Sequence, residues 1–380
     1  MASPAEPGGK ADRVTILLPM TGPRADIGQA MLQAARLALP GDDLPRLEAL
    51  DTGGTPEGAA SAARAALAGG AGLILGPLTS AETAAVAPIA RDGGVAVLAF
   101  TNDPSQAQPG VWTLGITPGQ QVRRLVAAAH AESHDQLAAL VPQSDFGRLM
   151  GEALTQAASA ASLPPPAIRT YEPNMGSITA AIRSMAEYDR RRGPVDAQIK
   201  AARARGTAEG RHAAQELAKQ TIPPPSFNAL LLADSGEALA EIAAVLPYYD
   251  IDRGTVRIMG PAQWAAPASG AGAFGGAWYA APDPASRTAM VAQYNEKYGA
   301  PPPGIADLAF DAASIARAVG AKGRFSIAAL TQPGGFGGVD GWLALLPDGQ
   351  VRRGLAVFNV DRGGASMVDP APNAAGGPGT

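Results

Sequence analysis

Short apolar runs of strand length alternate with stretches of helical periodicity along most of the chain, a pattern that predicts parallel sheets wrapped by helices. The runs end repeatedly in glycine, proline and hydroxyl residues, as strands do where they hand over to a helix. A length of 380 residues exceeds what one ordinary core organises. Together these observations predict an α/β protein of two Rossmann-like lobes with parallel sheets. A hinge crossed more than once joins the lobes, and a charged helical insertion interrupts the second.

Arg13 to Leu18, RVTILL, reads as the first strand and is broken by Pro19-Met20-Thr21-Gly22-Pro23. From Asp26 the pattern is helical, with Ile27, Ala30, Met31, Ala34 and Ala38 on one face. Leu47 to Leu50 is a strand ending at Asp51-Thr52-Gly53-Gly54, and Glu57 to Ala68 is an almost pure alanine helix. Leu73 to Thr83, LILGPLTSAET, is the clearest unit: a buried strand, a Gly-Pro turn, the adjacent hydroxyls Thr79 and Ser80, and a helix start with Ser80 placed as N-cap. Such a strand end points N–H groups and hydroxyls out of the carboxyl edge of a parallel sheet, where ligands of open α/β sheets collect. Taken alone, the hydroxyl pair is a plain helix cap. Ala81 to Arg91 follows as a helix that Pro88 should kink. Val95 to Phe100 is a strand ending in Thr101-Asn102-Asp103, and after the strand Trp112 to Gly115, Thr117-Pro118-Gly119 marks a first crossing between lobes.

A second set of the same units begins with the helix Gln120 to Glu132 and the strand Gln136 to Val141, which ends in Pro142-Gln143-Ser144-Asp145-Phe146-Gly147. Arg148 to Ala161 is a helix, Ile168 to Tyr171 a strand, and Ile178, Ile182 and Met185 mark a further helix face. Tyr188 to Gln220 departs from this rhythm. It is crowded with Arg190-Arg191-Arg192, Lys200, Arg203, Arg205, Arg211 and Lys219 among acids, and reads as a solvated helical excursion, either a bare exposed surface or a docking surface. Phe227 to Ala233 resumes the sheet, Glu237 to Leu246 is its helix, Val256 to Met259 leads into Gly260-Pro261-Ala262-Gln263-Trp264, and Ala277 to Ala280 is a strand before a second crossing at Pro282-Asp283-Pro284. Helices follow over Arg287 to Tyr298 and around Leu308, Ala312, Ile315 and Val319. Two β-runs, Trp342 to Leu346 and Arg352 to Val360, flank Pro347-Asp348-Gly349-Gln350, a hairpin signal.

The bulk numbers exclude more than they assign. A formal net charge of -4 argues against a nucleic-acid partner, which normally meets a basic face. With no cysteine, thiol chemistry, zinc-thiolate sites and disulfides are all excluded. No apolar run approaches membrane-spanning length. Met1 to Lys10, MASPAEPGGK, lacks the charged start and apolar core of a secretory signal and reads as a disordered leader.

Motifs for phosphate-binding loops, nucleophile elbows, zinc helices and dinucleotide folds are missing. His130 and His134 lie four residues apart and could share a helix face, but no further metal ligand is suggested, so they read as surface residues. The expectation is therefore no enzyme, no catalytic residue, no metal and no cofactor. What remains is a set of strand-end polar groups from both halves: Thr79, Ser80, Thr101 and Asn102 in the first, Asp145, Phe146, Asp234, Ser235 and Gln263 in the second. A cleft lined this way holds a small polar ligand through hydroxyls, backbone N–H groups and one aromatic face, and offers no nucleophile with a base.

The chain resembles the type I periplasmic binding proteins, the superfamily of leucine/isoleucine/valine and amide receptors. VTILLPMTGPRADIG matches the family's opening strand and loop, LILGPLTSAET its hydroxyl-bearing ligand loop, and VLAFTND the next. SDFG matches the loop where an aromatic covers the ligand, IMGPAQW the M-G-P segment, and GVDGWLALLPDGQV the closing hairpin. Within the superfamily it is most similar to the proteobacterial penicillin-binding protein activators, through LILGPLTS, LPYYDID, GAWYAAPDP and FGGVDGWLALLPDGQVRRGLAVF and through the charged excursion. That resemblance implies a periplasmic lipoprotein whose partner is a penicillin-binding protein, a peptidoglycan synthase. The alternative it implies is a receptor that delivers a small polar ligand to an ABC permease. Two departures stand out. Amino-acid receptors carry an acid after M-G-P to pair with the ligand ammonium, where this chain has Ala262, and no lipobox cysteine is present, so the membrane would be met only through an anchor this sequence does not carry.

The expected division is a disordered leader over 1–11, a first lobe from 12–118 and 283–333, a second lobe from 119–282 and 334–360 with the charged insertion at 188–222, and a disordered tail over 361–380.

Overall fold

The computed structural model describes residues 13–40, 45–252, 254–321, 325–361, 364–374 and 379. The expected leader, 1–11, lies outside them. The first lobe opens with β1 (Arg13–Leu18), α1 (Ala25–Ala38), β2 (Arg46–Asp51), α2 (Pro56–Ala68), β3 (Leu73–Leu75), α3 (Ser80–Asp92), β4 (Ala96–Ala99) and β5 (Val111–Thr113). The second follows with α4 (Pro118–Ala131), β6 (Leu137–Pro142), α5 (Asp145–Ala160), β7 (Ala167–Tyr171), α6 (Met175–Met185), the pair α7 (Tyr188–Ala204) and α8 (Ala208–Ala218), β8 (Ala229–Leu232), α9 (Glu237–Val245), β9 (Arg257–Gly260) and β10 (Trp278–Ala281). The chain returns as α10 (Thr288–Tyr298), α11 (Ala306–Gly320), α12 (Ile327–Leu330), β11 (Phe336–Gly338), β12 (Gly341–Leu345) and β13 (Val351–Arg353), then ends in β14 (Ala356–Asp361) and β15 (Gly364–Asp369).

The first sheet is parallel throughout, in the order β2-β1-β3-β4-β5. The second runs β15-β14-β10-β9-β8-β6-β7, parallel from β10 to β7 with an antiparallel pair added at one edge. Strand composition follows position. Central β3, β4 and β8 are buried on both faces and correspondingly apolar end to end, and β1 is buried after its exposed Arg13, whereas the edge strands β2 and β7 carry exposed polar residues. Most sheet-flanking helices start on an oxygen cap: Thr55, Thr79, Thr117, Ser144 and Asn174 each accept an N–H from the first turn. Thr79, not Ser80, is the cap of α3, because the box it forms with Glu82 fixes the start one residue earlier. That helix runs unbroken through Pro88, which sits on its exposed side.

The division expected between the lobes needs correction at its C-terminal end. Phe336, Leu343, Leu345 and Val351 of the small antiparallel sheet pack into the core of the first lobe with α1 and α11, so 334–353 belongs there and not to the second lobe. The run Arg352 to Val360, which reads as one strand, is two. Gly354 and Leu355 carry the chain across, and only β14 joins the second sheet beside β10. The tail read as disordered contains β15, antiparallel to β14. Its composition hides a strand that only a partner edge draws out.

Three crossings form the hinge: Leu114–Thr117, Pro282–Asp283 and Gly354–Leu355. Side chains tie the first and third together. Arg353 Nη2 donates to the Leu114 carbonyl at 2.8 Å, Gln120 Nε2 to Val351 at 2.7 Å and Arg124 Nε to Leu355 at 2.7 Å. The charged insertion folds as the α7–α8 pair on its own small core of Val195, Ile199, Ala202, Ala214 and Ile222.

Candidate functional site

In the first lobe the polar groups at the strand ends converge on carboxylates of the chain itself. After β1, Met20 N–H and Thr21 N–H donate to Asp51 at 2.8 and 3.3 Å, the Thr21 hydroxyl at 2.7 Å, and Gly53 N–H at 2.8 Å. After β3, the buried Glu82 accepts the Thr79 N–H at 3.0 Å, the Thr79 hydroxyl at 2.7 Å and the Thr52 hydroxyl at 2.6 Å. After β4, Asp103 accepts the Ser80 hydroxyl at 2.5 Å and Ser105 N–H at 2.9 Å, while its own N–H donates to the Thr101 hydroxyl at 3.1 Å. Desolvation works against ionisation of Asp51, but the bonds from Thr21, Gly53 and Met20 outweigh it and hold the carboxyl below the usual range. Asp103 is governed the same way, by Ser80 and Ser105 against desolvation. Both are charged at neutral pH.

In the second lobe Asp234 accepts the Tyr171 hydroxyl, and its carbonyl accepts Trp264 Nε1 at 2.8 Å. Burial, then the Asp234 bond and charge, push the Tyr171 phenol up, so the tyrosine stays a donor. Trp264 lies directly over Gly260, where a Cβ would stand 2.2 Å from the indole. The M-G-P glycine is therefore what lets the indole reach the strand end. Gln121 Oε1 accepts the Ala262 N–H at 2.8 Å, so that backbone donor is also engaged within the lobe.

The nine residues read as a site fall into three situations. Ser80 and Thr101 meet through Asp103, and Thr79 is locked to Glu82. Asp234 adjoins the loop bearing Gln263 through Trp264, whereas Asp145 stands exposed at the start of α5 with only Arg148, 3.8 Å away. The Phe146 ring packs, partly buried, on the second-lobe core, and so serves the fold on at least one face. The side chains of Asn102, Ser235 and Gln263 are exposed and make no hydrogen bond among the described residues. No hydrogen bond among the described residues joins the first-lobe set to the second-lobe set.

Composition and spacing alone do not mark Asp51, Glu82 and Asp103 as a set that organises these loops. The T-x-x-E spacing of Thr79 and Glu82 is a capping-box signal that pointed to one of them. Asp51 and Asp103 act across strands that only the sheet order makes neighbours. His130 binds Asp135 at 2.7 Å, His134 lies 3.8 Å from Glu132, and no group of three or more His, Cys, Asp or Glu that could hold a metal occurs among the described residues.

This architecture of two parallel-sheet lobes linked by three strands of hinge, with strand-end loops facing out of each sheet, is that of a binding-protein fold. A model of the periplasmic binding protein family matches residues 13–365, and the chain belongs to that family. A comparison with curated proteins finds no match. Among solved structures, a protein from Rhodospirillum rubrum assigned to a branched-chain amino acid ABC transporter aligns with a TM-score of 0.71 at 19% identity, over 94% of this chain and 99% of that one. The C-domain of LpoA from Haemophilus influenzae, a regulator of PBP1A, aligns with a TM-score of 0.66 at 15% identity, over 94% and 99%. Full-length LpoA from that organism gives 0.69 at 15% identity, covering 96% of this chain and 60% of the longer one. At these identities the likeness establishes the type I fold. The family and these neighbours are binding or regulatory proteins.

Proposed function

We propose that this chain is a penicillin-binding protein activator: a periplasmic protein with a solute-receptor fold that regulates a peptidoglycan synthase by contact, reaching the membrane only through a lipid anchor. One observation carries the reading. Asp51, Glu82 and Asp103 take the backbone and hydroxyl donors that a ligand carboxylate would need, and the two exposed to the loops are charged. A ligand anion arriving there meets like charge and few free donors. An amino-acid ammonium would find Ala262 where a carboxylate is needed. The α7–α8 pair supplies a projecting charged surface instead, with Lys200, Arg203 and Arg205 exposed and free of acid partners among the described residues.

The test is glycan polymerisation by purified class A synthases with and without the protein. Polymerisation is expected to accelerate with at least one of them; unchanged rates across the host's synthases would overturn the proposal.

A second reading, a receptor feeding a small polar ligand to an ABC permease, is favoured by the three exposed side chains Asn102, Ser235 and Gln263, which await a partner. It requires a ligand that is neither anionic nor an α-amino acid. A melting shift with a small amide, lost in Asn102→Ala, would support it.

A further inference from the structure

A cavity of about 690 Å3 opens on the flank of the hinge and is walled by both lobes. Thr113 and Arg352 come from the first lobe, Arg123 and Gln156 from the second and Thr117 from the crossing between them, and none of the nine strand-end residues lines it. Its electrostatics are unusual. Neither the Arg123 nor the Arg352 guanidinium makes an ion pair or hydrogen bond to another described residue. Both side chains reach solvent at the cavity mouth, yet partial desolvation at the wall, and then the like charge of Arg352, lower the basicity of Arg123, so the two guanidinium groups sense each other. The acids on the wall are engaged elsewhere: Glu152 accepts from Arg148 at 2.9 Å, and Asp348 accepts the Gln350 N–H at 2.9 Å. Thr113 lines the same space, is only 2% exposed, and its hydroxyl has no partner among the described residues.

Two cations left to repel one another at a cavity wall, beside a hydroxyl that has no protein partner among the described residues, are the complement of an anion that has two charges and several acceptors. Guanidinium forks match the oxygen spacing of phosphate. The volume falls within the roughly 300–1,000 Å3 usual for small-molecule sites, which leaves room for an organic body as well as the anion.

We propose that this hinge cavity is a binding site for a small doubly charged oxyanion, phosphate or a phosphomonoester, held between Arg123 and Arg352 with the Thr113 hydroxyl as a further donor. Because its walls belong to different lobes, an occupant fastens one lobe to the other. The site is independent of the contact reading given above.

The test titrates the whole chain with inorganic phosphate at constant ionic strength, read by calorimetry and by thermal melting. One saturable site and a raised melting temperature are expected, with no shift from chloride. Arg123→Gln and Arg352→Gln each weaken binding about tenfold or more, while the unliganded variants melt no lower than the parent, since a repulsion is removed. Absence of heat with phosphate, or a shift that persists in the double variant, would overturn the proposal. Equal binding of succinate would overturn the assignment to a phosphate-type anion. Synthase stimulation by the double variant separates this site from the contact surface, which it leaves intact.

Discussion

Asp311 and Arg353 are both fully buried and 3.7 Å apart, and Asp311 also accepts the N–H groups of Val339 at 2.7 Å and Asp340 at 3.4 Å. Burial raises the Asp311 carboxyl to about 7, with Arg353 opposing the shift and Asp340 adding to it. Asp340 is raised to about 6, again by burial against Arg353. An unfolded aspartate titrates near ~3.9, so these carboxyls bind a proton more tightly in the folded protein. Their contribution to stability is full below the unfolded value and is lost as pH rises through about 6 to 7. Asp51 and Asp103, with lowered values, act with the opposite sign, and only as pH falls through the acid range. The protein is therefore expected to melt at a higher temperature near pH 5 than near pH 8, with the Asp311 cluster worth roughly 1 to 4 kcal/mol of that difference. Melting curves of Asp311→Asn check this: the slope between those pH values should flatten, and an unchanged slope would show that the cluster is not its source.

The βα units repeat one device at the scale of the element. Gly28 in α1, Gly58 in α2 and Gly147 in α5 each lie so close to the strand-end loop before the helix that a Cβ would stand 2.0 to 2.1 Å from the carbonyl of Pro19, Thr52 or Pro142. Each helix thus starts against its own strand end, which holds the polar loop in a tight turn. Alanine at any of the three should cost about 1 to 3 kcal/mol through forced backbone displacement. Alanine at Gly151, within α5 where a Cβ would meet only Ile168 at an ordinary 3.6 Å, should instead gain up to about 1 kcal/mol of helix propensity. Urea titrations of the four variants check the contrast. Much at this scale was legible. RVTILL, LILGPLTS and the alanine helix between them announce strand, turn and helix through apolar runs and breakers. The Arg352 to Val360 run was not legible as two strands, because nothing local distinguishes a glycine inside a strand from one at a lobe crossing. The carboxylate pairings across loops were hidden for a related reason: sheet order is long-range, and Asp103 meets Ser80 only because β4 lies beside β3.

At the scale of the molecule, the chain crosses between the two lobes three times, and side chains beside the first and third crossings bond the backbone of the other, with Arg353 placed between the charge cluster of the first lobe and the Leu114 carbonyl at the hinge. The strand-end loops that such a fold ordinarily presents to a solute are here bound up with Asp51, Glu82 and Asp103, while α7 and α8 stand out from the second lobe on a core of their own. That contrast underlies the proposed role in contact-based regulation. Its most direct test is surface plasmon resonance of the whole chain over an immobilised class A synthase. Saturable binding is expected, weakened about tenfold by charge reversal at Lys200, Arg203 and Arg205 and unchanged in Ser80→Ala. No binding, or binding that ignores the reversal and disappears with Ser80→Ala, would contradict it.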